Sequence, residues 1–234
     1  LPTKGILGYY CQVFQWRDQY PDLHLLFTNS LRGDIEARLL GAPRRYGLVK
    51  PSKSRYFLTH AYGATPEDLA GHQTLLWESM FRHFGMQEEL SLKPFRLGIV
   101  EENSCKFGFI PGSSNNPSKC WPLGKWVKLG NAILALYPKA TIHLHGTKAD
   151  REVTDTIEKM LPSNTVRNHA GSTDLSELAK ELSCCALVIG NDTGGIHLAN
   201  ALGTPVVVLC GPTNPINTGP FFDAPKACLQ PAGC

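Results

Sequence analysis

Asp192, Thr193, Gly194, Gly195 and His197 lie within one short run, Asn191-Asp192-Thr193-Gly194-Gly195-Ile196-His197. An apolar stretch, Ala186 to Ile189, enters it and has the length and branching of a buried strand ending at Gly190. A helix is predicted over Ile196 to Leu202, closed by Gly203. Pro205 then leads into a second apolar strand, Val206 to Leu209. The turn therefore sets a carboxylate, a hydroxyl, an imidazole and glycine N–H groups at a helix N-terminus. Unpaired N–H groups and the helix dipole favour a phosphate there. Asp192 is unsuited to phosphate, since like charges repel, and suited to accept hydrogen bonds from sugar hydroxyls. One turn thus offers both halves of a nucleotide-sugar site.

A second loop has complementary chemistry. Pro111-Gly112-Ser113-Ser114-Asn115-Asn116-Pro117-Ser118-Lys119-Cys120-Trp121-Pro122 follows a strand and precedes a helix. In open α/β sheets ligands bind at such strand C-terminal loops. Lys119 is a point charge suited to a diphosphate and to charge building on a departing phosphate. The spacing is not that of a P-loop, and neither glycine turn reads G-x-G-x-x-G, which argues against a dehydrogenase. Plainer roles stay open for each residue. Asp192 could cap the helix, the glycines could serve the turn, His197 could sit in the core, and Lys119 could be solvated. The two loops together favour function.

The elements that must position these residues alternate. In the first half, strands are predicted at Asp22 to Thr28 and Arg44 to Val49. A helix capped by Asn29-Ser30 lies between them and ends at Gly41. Tyr56 to His60 is a short apolar patch, and Pro66 to Phe84 reads as one long helix closed by Gly85. In the second half, strands are predicted at Lys106 to Ile110 and Thr141 to His145. Helices are predicted after Pro122, from Asp150 to Leu161, and after Ser172-Thr173-Asp174. A further short strand is read at Phe95 to Val100. Such alternation implies two α/β domains with parallel sheets: 1–92, a linker over 93–104, and 105–234.

Composition narrows the class. At 42% hydrophobic and 18% charged, the 234 residues describe a globular protein. A net charge of +3 permits anionic substrates and does not point to nucleic acid. No apolar run approaches a membrane span, and no signal peptide is read at Leu1. The eight cysteines form no C-x-x-C pair, so reduced, buried thiols are expected, with no metal and no cofactor.

Asp192-Thr193-Gly194-Gly195-Ile196-His197, with Gly203-Thr204-Pro205 and Gly211-Pro212-Thr213, resembles the donor-site signature of glycosyltransferase family 9, the lipopolysaccharide heptosyltransferases. Pro111-Gly112-Ser113 with Lys119-Cys120-Trp121-Pro122 resembles that family's other donor loop. Thr28-Asn29-Ser30 and Gly41 to Gly47 agree, and the wording is closest to the heptosyltransferase II branch. The resemblance implies a GT-B fold, two Rossmann-like domains facing across a cleft. It implies inverting, metal-independent transfer of heptose from ADP-L-glycero-D-manno-heptose to a lipid A–Kdo–heptose acceptor, in the cytoplasm at the inner membrane face.

By the same resemblance, Lys119 and Asp192 are the catalytic candidates. Ser113, Ser114, Lys119, Thr193, Gly194, Gly195 and His197 would hold the diphosphate, and Asp192 the heptose. Ser172, Thr173 and Leu175 would lie near the adenine. Arg44, Arg45, Arg55 and His60 are the acceptor candidates, because the implied acceptor carries carboxylates and phosphates that Arg can grip in bidentate fashion. The family's opening strand, glycine loop and general-base Asp have no counterpart at Leu1 to Tyr20, and no motif supports Asp18, Asp22 or Asp34 in that role. The chain is therefore expected to be a fragment with an incomplete N-terminal domain, the base lying upstream of Leu1 and the closing helices downstream. Such a fragment would bind donor without transferring heptose. Competing readings are another GT-B nucleotide-sugar enzyme, such as an epimerase, and a non-catalytic nucleotide-binding domain.

Overall fold

The computed structural model describes residues 5–19, 22–95, 97, 103–113 and 117–231. The chain divides into two compact units, Leu1–Leu90 and Ser91–Cys234.

The first unit runs α1 (Ile6–Gln15), β1 (Leu23–Leu26), α2 (Leu31–Leu40), β2 (Arg44–Val49), β3 (His60–Gly63), α3 (Pro66–Ala70) and α4 (Gln73–His83). Its described strands form a parallel sheet in the order β1-β2-β3. Ser30 caps α2, its hydroxyl accepting from Gly33 N–H at 3.1 Å. Gly41 ends that helix in the left-handed region at φ 87°, which costs glycine little. Leu48, Ala64, Leu76 and Met80 form the core, α4 lying over the sheet.

One expectation needs correcting here. The helix expected from Pro66 to Phe84 is two helices. Thr65 and Asp68 form a capping box at the first, and the His72 ring Nδ1 accepts from Thr74 N–H at 3.2 Å to start the second. The apolar patch before His60 is irregular, and the strand lies beyond it at His60–Gly63.

The second unit runs β4 (Asn103–Ile110), α5 (Leu123–Leu136), β5 (Thr141–Leu144), α6 (Arg151–Met160), β6 (Val166–Asn168), α7 (Leu175–Ser183), β7 (Cys185–Asn191), α8 (Gly194–Ala201), β8 (Val206–Leu209), α9 (Pro215–Thr218) and β9 (Lys226–Leu229). All its described strand pairs are parallel, in the order β6-β5-β4-β7-β8-β9. Both faces are covered. Phe107, Phe109, Ile142 and Leu144 pack with Trp126, Ile133 and Ile157 from α5 and α6. Val188, Val206 and Val208 pack with Leu182, Ile196 and Ala199 from α7 and α8. Burial on two faces explains the continuous apolar runs of β7 and β8.

The segment expected as a linker is partly built into this unit. Strand β4 already begins at Asn103. Phe95 N–H donates to Ala201 C=O at 2.7 Å, and Leu92 C=O accepts from Asp223 N–H at 2.8 Å. Most of the strand expected at Phe95 to Val100 lies outside the described residues. No helix among the described residues is long and apolar enough to cross a membrane.

Candidate functional site

The chain order turns back between β4 and β7: β5 and β6 extend the sheet one way, and β7 to β9 the other. Loops leaving the C-terminal ends of two such strands diverge and leave a crevice. Both loops singled out from the sequence lie there. Asn191, fully buried, joins them. Its amide donates to Pro111 C=O at 2.7 Å, and its side-chain oxygen accepts from Trp121 N–H at 3.1 Å.

Asp192 is 8% exposed and does not cap α8; Thr193 occupies the cap position, without a side-chain cap bond. The Asp192 carboxylate instead accepts from Lys119 Nζ at 2.9 Å and Thr213 Oγ1 at 2.7 Å, and lies 3.2 Å from His197 Nε2. Together the His197 ring, Lys119 and Thr213 hold the carboxyl far below the usual carboxylate range, against the opposing effect of burial. Asp192 is thus an ionised acceptor, not a proton donor, at any working pH.

These loops border a cavity of about 580 Å³, lined among others by Ser113, Lys119, Asp192, Thr193, Gly194 and Gly195. Thr173 and Leu175 line it as well. The Thr193 hydroxyl is buried with no partner among the described residues, at the start of a helix whose first N–H groups are available to a ligand. Ser114 lies outside the described residues. Ser172, between the lining residues Gly171 and Thr173, donates to His169 C=O at 2.9 Å, and the part-exposed His197 ring lies against Asp192.

Sequence reasoning missed a third wall. The loop after β5 contributes Gly146, Thr147, Lys148 and Asp150 to the cavity. Asp150 accepts from the Thr147 N–H and hydroxyl at 2.7 Å each, and packs so closely that a Cβ on Gly112 would run into its carboxylate. The signal available was the strand ending at His145, whose following loop had to open on the same sheet edge. His145 itself is 1% exposed and lines the cavity, with neither ring nitrogen partnered among the described residues. Burial, with His169 and His143 adding to it, pushes its pKa down to about 3, so the ring is neutral.

Gly194 gives a test of the cavity's role. It lines the cavity, and a Cβ there meets no atom within 4 Å. Gly194→Ala is expected to raise Tm slightly, by about 0.4–1 kcal/mol of stability. The same methyl should weaken nucleotide binding several-fold, measured by calorimetric titration with ADP. Unchanged affinity alongside raised Tm would exclude this turn from the ligand site.

In the first unit, the acceptor candidates separate. Arg55 is buried, paired through Nε and Nη2 with Asp34 and through Nη1 with Leu48 C=O at 2.8 Å. Arg45 is bonded to the carbonyls of Phe57 and Ala42. The Arg55 guanidinium holds the fold, which corrects its assignment to a ligand, while the half-buried Arg45 is bonded to backbone only through Nε and Nη1. Arg44 is exposed, and so is His60, stacked on Tyr46 with ring centroids 4.2 Å apart. The cysteines divide too. Cys185 and Cys210 are buried, and burial pushes each thiol up to about 12. Cys11, Cys120 and Cys228 are exposed, contrary to the expectation of buried thiols.

The family model of glycosyltransferase family 9 (heptosyltransferase) matches residues 17–234. Lipooligosaccharide heptosyltransferase 2 of Haemophilus influenzae is 34% identical over 119 residues, which are 50% of this chain and 34% of that protein. Lipopolysaccharide heptosyltransferase 2 of Escherichia coli is 30% identical over 230 residues, 88% of this chain and 64% of that one. The chain thus covers less than two thirds of the length of these relatives. The structure of E. coli ADP-heptose lipopolysaccharide heptosyltransferase II superposes with a TM-score of 0.77 at 21% identity, over 96% of this chain and 73% of that one. E. coli heptosyltransferase WaaC with ADP gives 0.75 at 16%, over 99% and 73%. The fold is the α/β GT-B type of these structures. The chain belongs to glycosyltransferase family 9, the heptosyltransferases.

Proposed function

We propose that this chain binds ADP-L-glycero-D-manno-heptose and serves its inverting transfer to the inner core of lipopolysaccharide at the cytoplasmic membrane face. The observation that carries the reading is the Lys119–Asp192 pair, 2.9 Å apart, on the cavity where the loops after β4 and β7 diverge. Without ligand the two charges neutralise each other. A diphosphate competes for Lys119 and takes the α8 N-terminus, leaving Asp192, held ionised by His197 and Thr213, to the sugar hydroxyls. As the acceptor oxygen attacks the anomeric carbon, the bond to the diphosphate breaks from the opposite face. Charge collects on the departing ADP, where Lys119 and the helix N–H groups stabilise it. The acceptor proton goes to a base that we do not assign; Asp34 is excluded by its bond to Arg55. Arg44, Arg45 and His60 remain the acceptor candidates.

Titration with ADP-heptose, ADP and a UDP-hexose tests the reading. The adenine ligands are expected to bind and the UDP-sugar to bind more weakly, with no conversion of ADP-heptose unless acceptor is present. Folded protein that ignores ADP would overturn it. Conversion of donor without acceptor would favour an epimerase.

A further inference from the structure

His143 on β5, His169 just beyond β6 and Glu181 on α7 bring three ligand atoms together, all within 4.8 Å of one another. His143 Nδ1 and His169 Nε2 are 2.9 Å apart, and Glu181 Oε2 lies 3.6 and 3.7 Å from them. A regular tetrahedron around a metal with N and O ligands at about 2.1 Å has edges of about 3.4 Å. The triangle therefore already has the size of one face of such a site. The short contact between the imidazoles has a second meaning. One nitrogen must donate and the other accept, so a lone pair on one ring points at the other across a shared proton, and a metal ion can take that proton's place. The carboxylate and His169 are part-exposed, which leaves room for water as a fourth ligand. None of the three lines the donor cavity.

We propose that His143, His169 and Glu181 form a binding site for a divalent transition-metal ion of the zinc, cobalt or nickel type. Imidazole with one carboxylate suits these ions and does not suit magnesium or calcium. Lys106 is the competitor: its Nζ lies 2.6 Å from Glu181 Oε2. That is the same oxygen that completes the triangle, so on metal binding Lys106 must move to Oε1, where it still orients the group, or withdraw. The displaced ammonium lowers affinity by repulsion. Bound metal would clamp α7 to the β5–β6 edge of the sheet. Leu175 and Leu178 of α7, with Gly171 and Thr173 from the loop after His169, line the donor cavity, so the clamp would stiffen one of its walls.

Titration of the full chain with Co²⁺, after alkylation of its accessible thiols, is the test. One equivalent is expected to give the visible absorption of a four-coordinate ion, to be displaced by Zn²⁺, and to shift the ring protons of His143 and His169. Zn²⁺ should raise Tm by mass action. His169→Ala and Glu181→Gln should each weaken binding by about tenfold or more, and Lys106→Met should tighten it. Co²⁺ that does not bind at millimolar concentration, or that leaves both ring-proton sets unmoved in the unsubstituted protein, overturns the proposal, whatever the folding of the variants.

Discussion

Replacing Lys119 with Ala is expected to weaken ADP binding at least about tenfold, since a hydrogen bond to a charged group contributes ~1.5–3 kcal/mol. Any transfer rate should fall further, by roughly 10²–10³, because the lost charge acts most where the leaving diphosphate gains its own. Local structure should survive. Asp192 keeps His197 and Thr213 as partners, and Asn191 still ties the two loops. Asp192→Ala should behave differently. It removes the carboxylate that pairs with Lys119 and frees that lysine for phosphate, so ADP affinity should hold or rise while affinity for ADP-heptose falls. Calorimetric titration of both variants with both ligands separates the roles. Equal losses for ADP and ADP-heptose in Asp192→Ala would mean that the carboxylate does not read the sugar.

Asp34→Ala is expected to destabilise the first unit by ~3–5 kcal/mol, because it strands the Arg55 charge in the interior. The two side chains are 3% and 2% exposed, and each is the other's ionic partner. Asp34→Ala combined with Arg55→Met should recover much of the loss, since no buried charge is then unpaired. Urea unfolding followed by hydrogen exchange of the β1–β3 amides would measure it. A cost below about 1 kcal/mol for the single variant would show that Arg55 reaches water, and would return it to the list of ligand contacts.

What the sequence disclosed was local. The strands at Arg44–Val49 and Val206–Leu209 follow from short patterns, and the structure holds them as read; the helix after β7 starts earlier than read, with Gly194 and Gly195 as its first residues. What it concealed needed neighbours far along the chain. Asp34 and Arg55 are 21 residues apart, and nothing in either's surroundings marks a buried pair. Asp150 became visible only once Gly112 lay against it. The break at His72 was masked because the apolar period runs through it unchanged. Strands β6 and β9 escaped for a simpler reason. Val166–Asn168 is three residues with a central Arg, and Lys226–Leu229 is exposed throughout, so neither carries an apolar alternation.

The central pairing of the second unit has a consequence for the order in which the molecule forms. Strand β4 pairs with β5 across one crossover, yet its other partner, β7, follows only after β5 and β6. Lys119 and Asp192 are accordingly 73 residues apart. Closing so long a loop costs chain entropy before any contact compensates for it, so such pairings come late on a folding route. The cavity is then a late feature, and its charge pair signals that β4 and β7 have joined. A ligand there recognises only the finished fold. It would slow unfolding while leaving the speed of folding almost untouched, a kinetic lock on this half of the chain rather than an aid to its assembly.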